Sequence, residues 1–484
     1  EILASLGLRS LDDAVGRISR AIDQRQDILV FGDYDVDGVT AVALFVLVLR
    51  HLGARPRYAV PRRLSEGYGL SHEALDRVLK DGNPDLFVTL DCGTNSVDQI
   101  ARLRKLGIDV IIADHHRSKE GREADATIVN PHVYDGENEP WTHLCAVGLA
   151  FKLAHGLRRL RRAQGDPNAQ SLRLVDLLDL VAMGTIADLV PMRRENRIYT
   201  RFGLQMLGQR KRAGIHALLE SCNISAGQPL NPTDVSFRLS PRINASGRLD
   251  DASIAVELLL SSDGQQCAEL ANQLNEFNKE RQEKERLVTQ DALRMIEEGG
   301  FSSDPAFVLY GEHWHPGVVG IVAGKLSRQF GRPCVVLGKE GDALAKGSGR
   351  GVHSLNLIDI LTHCKDLLQN WGGHPMAVGV SLHCKDIDTF RARLIETMHR
   401  ECGGLEHTDE VPVDISVWLP VEQINQELLE DIETLSPFGE GNPEPVFGVR
   451  AVQLPFPPEV FGEGNYRFYL PAAQQRRGLC VVAR

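Results

Sequence analysis

The sequence predicts an α/β protein: two α/β lobes joined by a long helix, followed by a smaller C-terminal β module. Three observations carry that reading. Apolar runs of strand length alternate with helix-like runs up to about residue 225, and again from 306 to 397, which is the pattern of β-α-β units. Residues 263–298 are charge-rich and helical in pattern, with Leu270, Leu274 and Phe277 forming one apolar stripe. Beyond residue 411, short Gly/Pro-punctuated segments such as 446–452 and 466–470 read as strands. The expected divisions are residues 1–225, 226–300, 301–405 and 406–484.

Taken in order, residues 27–32 read as a buried strand and 39–49 as an apolar helix. Between them stand Asp33, Asp35 and Asp37, at every second position. In open α/β sheets, ligands bind where strands end and helices begin. Three crowded carboxylates repel one another unless a cation neutralises them, and oxygen ligands suit Mg²⁺ or Mn²⁺. An EF-hand Ca²⁺ loop needs helices on both sides and a glutamate at its twelfth position, and neither is present. Strand-like residues 85–90 end in Asp91-Cys92-Gly93, and 109–113 end in Asp114-His115-His116, with a helix-like run, 96–106, between them. This β-α-β unit makes the strands parallel, so their C-terminal ends share one edge of the sheet. An apolar helix over 172–183 leads into Gly184-Thr185-Ile186-Ala187-Asp188, an acid in an otherwise apolar stretch.

In the second lobe, strands are expected at 307–310 and 334–337 with a helix over 318–330. Gly347-Ser348-Gly349-Arg350-Gly351 reads as a glycine-rich turn before a helix at 355–364, which suits an anion, with Arg350 as a phosphate donor. His313 and His315 could pair on a metal, but Pro316 favours a strand-to-helix turn.

Composition narrows the class. A chain of 484 residues has room for about three domains. Its apolar runs are too short to cross a bilayer, and no signal peptide is seen. Nine scattered cysteines without a Cys-x-x-Cys pair argue against a zinc module or disulfide scaffold and fit a reducing cytoplasm. The net charge of −11 looks wrong for a nucleic-acid enzyme, but the metal site and solvated helices claim many of the acids. Basic runs at 158–162, 193–194 and 209–212 could track a phosphate backbone, although each alone reads better as a solvated helix face.

The four acidic motifs, in their order, resemble those of the DHH phosphoesterase superfamily. Ser240-Pro241-Arg242-Ile243-Asn244-Ala245-Ser246-Gly247-Arg248 and Gly372-Gly373-His374-Pro375-Met376-Ala377-Val378-Gly379 narrow the resemblance to the RecJ family of single-strand-specific 5′→3′ exonucleases. The resemblance implies a DHH lobe, a DHH-associated lobe and an OB-like module that binds single strands. It also implies two-metal hydrolysis releasing 5′-mononucleotides, in DNA repair and recombination, with two divalent ions, Mn²⁺ preferred or Mg²⁺. Asp91 would bridge the ions, Asp33 and Asp35 would complete one, and Asp37, His115 and Asp188 the other. His116 would donate to a phosphate oxygen, with Asp114 orienting a histidine. Arg62, Ser348 and Arg350 would hold the 5′ end, and Arg242, Arg248 and His374 would also contact substrate. Single-stranded DNA is the implied substrate, and a single-strand-binding protein and a RecQ-type helicase are the implied partners of a monomer.

Metal-binding relatives such as the type II pyrophosphatases carry a histidine where this chain has Phe31, so Asp33 would have to replace it. The first motif also lies closer to the start than in full-length RecJ, and residues 479–483 read as an unfinished sheet, so the sequence reads either as a trimmed chain or as one that skips internal segments. The rival readings are a DHH phosphodiesterase for cyclic dinucleotides or short oligoribonucleotides, and a non-catalytic replication scaffold.

Overall fold

The computed structural model describes residues 7–67, 69–118, 124–136, 139–249, 251–352, 355–402, 414–450, 453–461, 465–470 and 479–483. The first lobe is built on five parallel strands: β1 (Ile28–Gly32), β2 (Arg57–Ala59), β3 (Leu86–Leu90), β4 (Asp109–Ala113) and β5 (Thr127–Val129), in the order β2-β1-β3-β4-β5. Successive residues of these strands enter two separate cores. Val30, Val88 and Ile111 face one, and Phe31, Phe87 and Ile112 the other. Burial on both faces is why the strands read as unbroken apolar runs in the sequence.

Helix α1 (Leu11–Asp23) precedes the sheet, and α2 (Val36–His51) follows β1. The second helix begins three residues earlier than its apolar run. Asp35 caps it by accepting a hydrogen bond from Gly38 N at 3.1 Å, and this draws Asp37 into the first turn. Next come α3 (Val97–Lys105), α4 (Ala146–Ala163), α5 (Leu178–Ala187) and α6 (Arg194–Gln209). The helix expected over 172–183 is a 3₁₀ turn at Leu174–Leu177 followed by α5, which carries the chain up to Asp188.

A π-helical turn, Val235–Leu239, leads into α7 (Ser240–Leu249), the helix of the Ser-Pro-Arg segment. Helix α8 (Gly264–Glu298) then runs for 35 residues. Its first half gives Cys267, Ala271 and Leu274 to the first lobe's core, and its second half gives Val288, Ala292 and Ile296 to a core of the second lobe. One helix thus belongs to both lobes, so its apolar stripe is interrupted and does not form continuous heptads.

The second lobe holds β6 (Phe307–Gly311), α9 (Pro316–Phe330), β7 (Cys334–Glu340), β8 (Leu344–Arg350), β9 (Leu368–His374), β10 (Ala377–His383) and α10 (Ile387–Cys402). The sheet order is β6-β7-β8-β10-β9, with only β6 and β7 parallel. His315 caps α9 by accepting from Gly317 N, with Pro316 at the first helical position, as in the turn reading of that segment.

The glycine-rich turn is a correction. Gly347, Ser348, Gly349 and Arg350 lie in β8, bonded between β7 and β10. A Cβ on Gly347 would come 2.0 Å from Val336 O, so this glycine serves close strand packing and does not open an anion-binding loop. The helix after it is Leu357–Thr362, shorter than expected, and residues 353–354 lie outside the described residues.

Beyond residue 413 come β11 (Val417–Trp418), α11 (Gln426–Leu435), β12 (Phe447–Gly448), β13 (Glu459–Phe461), β14 (Asn465–Leu470) and β15 (Leu479–Ala483). They form one two-stranded and one three-stranded sheet. Of the strand expected at 446–452, only Phe447–Gly448 is extended in a sheet, and 451–452 lie outside the described residues. Among the described residues, no helix is long and apolar enough to cross a membrane.

Candidate functional site

The C-terminal ends of β1, β3 and β4 bring their acids together. Asp91 follows β3 with a left-handed φ of 65°, an unfavourable conformation for a residue with a side chain. His115 Nε2 lies 3.1 Å from Asp91 Oδ1, 3.6 Å from Asp188 Oδ2 and 3.8 Å from Asp37 Oδ2. Asp37 is buried at the N-terminus of α4, accepting from Ala146 N at 2.6 Å and Val147 N at 2.9 Å. Gly184 makes that approach possible, because a Cβ there would lie 2.6 Å from Thr40 and Val147 and 2.8 Å from Asp37. Helices α2, α4 and α5 therefore close around one carboxylate.

The charges follow from this crowding. Burial raises the Asp91 carboxyl well above the usual range, and Asp35, Asp37, Asp33 and Asp188 raise it further. Burial and then Asp35 push Asp33 up to about 7. Burial, Asp37 and Asp35 push Asp188 up to about 9. Burial raises Asp37 against the pull of His115, and it lowers His115 against the pull of Asp37. Such a set is uncomfortable without a cation. Asp188 Oδ2 is buried with no hydrogen-bond partner. Ligand atoms of Asp91, His115 and His116 lie within 4.8 Å of one another, as do those of Asp37, Cys145 and Asp188. The donor set, mostly oxygen with imidazole, fits divalent Mn²⁺ or Mg²⁺. Asp33 and Asp35 are outside those two groups but raise Asp91 electrostatically from beside it.

Asp114 is held differently. Its Oδ1 accepts from His115 N and His116 N and lies 2.7 Å from His116 Nδ1, while its Oδ2 accepts from Thr94 N. Burial opposes its charge, yet the hydrogen bonds and the neighbouring imidazoles together outweigh burial and keep the carboxyl well below the usual range. The bond between them pushes His116 up to about 9. His116 is half-exposed, and its bond to Asp114 favours the imidazolium.

The Ser-Pro-Arg helix links the site to the second lobe. Tyr34 packs beneath α7, where a Cβ on Gly247 would touch its ring at 2.6 Å, and Arg63 covers the same ring at 5.4 Å. Arg248 donates to Gly317 O at 3.1 Å and so reaches the start of α9 in the second lobe. Ser348 and Arg350 meet in β8 at 2.5 Å, and a Cβ on Gly320 of α9 would lie 3.3 Å from each. Arg62 is half-exposed and paired with Asp251 at 3.3 Å.

Of the other expected substrate contacts, Arg242 is engaged within the protein, and His374 pairs with Ala377, which in turn pairs with Arg350. Arg242 donates to Asn275 Oδ1, Arg238 O and Ser221 O, which ties α7 to α8. His374 sits at the exposed end of edge strand β9. Several members of the basic runs are engaged with protein. Arg161 pairs with Asp23 and Asp166, Arg212 with Asp179, and Arg193 donates to Gly441 O. Phe31, at the pyrophosphatase histidine position, is fully buried against Phe87 with centroids 6.0 Å apart. The sequence reading missed Cys145, whose only signal is its place before a long apolar helix. It also missed Asn130, which donates to Thr94 Oγ1 and His116 O and is signalled by the Asn-Pro pair that starts a helix.

Consecutive parallel strand ends bearing aspartate and histidine, followed in the chain by a second α/β lobe, define the DHH class of phosphoesterase. Family models agree: the N-terminal domain of the DHH family matches residues 27–185, the DHHA1 domain 303–400 and the RecJ OB domain 415–480. The chain is 39% identical over 441 residues to the single-stranded-DNA-specific exonuclease RecJ of Bacillus subtilis, covering 90% of this chain and 54% of that protein, so it spans about half that relative's length. It is 38% identical to the exonuclease of the same name from Salmonella typhimurium, covering 92% of this chain and 78% of that one. The structure of RecJ from Thermus thermophilus with Mn²⁺ matches with a TM-score of 0.82 at 29% identity, covering 99% of this chain and 67% of that one. The structure of the same protein with Mg²⁺ matches at 0.75 and 29% identity, covering 99% and 65%. The chain belongs to the RecJ family.

Proposed function

We propose that this chain hydrolyses single-stranded DNA from the 5′ end, releasing 5′-mononucleotides. The observation that carries this reading is the cluster around Asp91, where Asp33, Asp35, Asp37, Asp188 and His115 crowd one buried carboxylate so that its charge is costly without a cation. Asp91 would hold both ions, with Asp33 and Asp35 on one and Asp37, His115 and Asp188 on the other. Bound there, divalent ions would acidify a water and offset charge building on the phosphate.

The chain's own residues do the rest. Asp114 holds Nδ1 of His116 and leaves Nε2 to donate to a non-bridging phosphate oxygen. Ser348 and Arg350, with Arg62 of the first lobe, would bind the terminal 5′-phosphate as a charge-assisted pocket. Fixing that phosphate presents the first internucleotide linkage of the strand to the carboxylates, and this sets the polarity. Arg248 positions the start of α9 beside Ser348 and Arg350. The C-terminal module would grip the strand farther along. Division of the chain at 225, 300 and 405 follows these tasks. The family resemblance adds a cytoplasmic monomer working beside a single-strand-binding protein and a RecQ-type helicase.

The test compares a long single strand with a cyclic dinucleotide in Mn²⁺. The expected result is nucleotide release from the single strand alone, and preferential cleavage of the cyclic dinucleotide would replace this reading.

A further inference from the structure

The segment that leaves Asp188 is gripped by the last module. Leu189, next in the chain, has a left-handed φ of 56° and an exposed side chain, so this turn is strained. From Pro191 onward the chain meets a loop of the C-terminal module, residues 434–442. Met192 N donates to Glu440 O at 2.6 Å, and Arg193 Nε donates to Gly441 O at 2.7 Å. Arg197 Nη2 donates to Leu435 O at 2.8 Å and Thr434 O at 3.4 Å, and Arg201 Nη1 donates to Thr434 O at 3.3 Å.

The loop is shaped for this. Asn442 Nδ2 donates to Leu435 O and Pro437 O, and Asn442 and Gly439 exchange backbone hydrogen bonds. Gly441 has φ +69°, and a Cβ there would press on Pro191 at 3.2 Å. From the other side, buried Asn196 donates to Pro191 O at 3.1 Å and to His143 O at 2.6 Å, just before the α4 N-terminus that holds Asp37.

We infer that the 434–442 loop, with Arg193 and Arg197 that grip it, positions Asp188 from outside the first lobe, so the C-terminal module supports the metal site as well as any DNA. The arginines serve as positioning residues and touch neither metal nor substrate. The inference rests on Asp188 being a metal ligand, as proposed above.

The test uses the full chain and reads Mn²⁺ binding directly by electron paramagnetic resonance, beside single-strand affinity in metal-free buffer. Arg197→Ala from one side, by loss of roughly one charge-assisted hydrogen bond, and Gly441→Ala from the other, by strain at a positive φ and pressure on Pro191, should each weaken Mn²⁺ binding about tenfold. Circular dichroism and metal-free DNA affinity should stay at wild-type values, and Arg197→Lys should recover part of the loss. If Arg197→Ala does not fold, the exposed Arg201→Ala carries the same comparison. Wild-type Mn²⁺ binding in the folded variants, or loss of DNA affinity alone, overturns the inference. Failure of the underlying metal reading looks different, because Asp91→Ala would then bind Mn²⁺ as the wild type does.

Discussion

His116 and Asp114 show how two neighbouring residues in one motif acquire opposite electrostatic fates. The carboxylate is satisfied by backbone N–H groups and by the imidazole, so it stays ionised, while the imidazole keeps its proton up to about pH 9. A donor of this kind is lost as pH rises through its pKa. Replacing Asp114 by Asn removes the group that raises it, so the alkaline fall in the rate should move to lower pH, toward the ordinary histidine range near about 6.5. A pH–rate profile of Asp114→Asn with an unmoved alkaline limb would contradict that role for the pair. The carboxylates give a second prediction. Asp33, Asp91 and Asp188 all have raised folded-state pKa values, so the metal-free folded chain binds more protons than the unfolded chain between the ordinary carboxylate range and about pH 9. Stability then falls as pH rises through that window. Melting temperature without metal should be lower at about pH 8.5 than at about pH 6, and Mn²⁺ should restore most of the difference at the higher pH. A metal-free melting temperature that rises over the same interval would show that these acids are not strained.

At the scale of elements, the strand ends were legible because strands buried on both faces announce themselves as apolar runs, and an acid after each run stands out. Asp33, Asp91 and Asp114 were found that way. The left-handed turn at Asp91 and the approach of Cys145 to Asp37 and Asp188 were not, since both arise from contacts between distant segments. The segment around Gly347 misled for a related reason. Glycines demanded by a neighbouring strand look, in sequence, like glycines demanded by a turn. Gly184 is the glycine on which the packing of α2, α4 and α5 turns. Gly184→Ala inserts a methyl group among Thr40, Val147 and Asp37, and overpacking of this kind costs about 1–3 kcal/mol. A thermal melt should show that loss together with weaker Mn²⁺ binding. An alanine variant as stable and as metal-competent as the parent would mean that the helices have slack.

At the scale of the whole molecule, a chain of net charge −11 is proposed to hold a polyanion. Its runs of arginine explain this only in part, because the structure spends Arg161, Arg193 and Arg212 on carboxylates and a backbone carbonyl of the protein. The candidates for gripping a strand are the exposed aromatics of the last module. Trp418 lies under Arg450 at 4.4 Å, and Tyr466 is exposed on β14. A base stacked on such a ring contributes about 1–3 kcal/mol, so Trp418→Ala should weaken binding of long single strands by roughly one to two orders of magnitude. Oligonucleotides too short to reach the module should be cleaved at the parent's rate, and equal losses on long and short substrates would remove Trp418 from the DNA path.

The central claim is a metal centre bridged by Asp91 that cuts a single strand from its 5′ end. It is tested most directly by a 5′-labelled single strand incubated in Mn²⁺ with the parent chain and with Asp91→Ala. The parent should release the label as a mononucleotide from the earliest time points, and folded Asp91→Ala should release none. Label retained on steadily shortening fragments, or release by Asp91→Ala at the parent's rate, would contradict the claim.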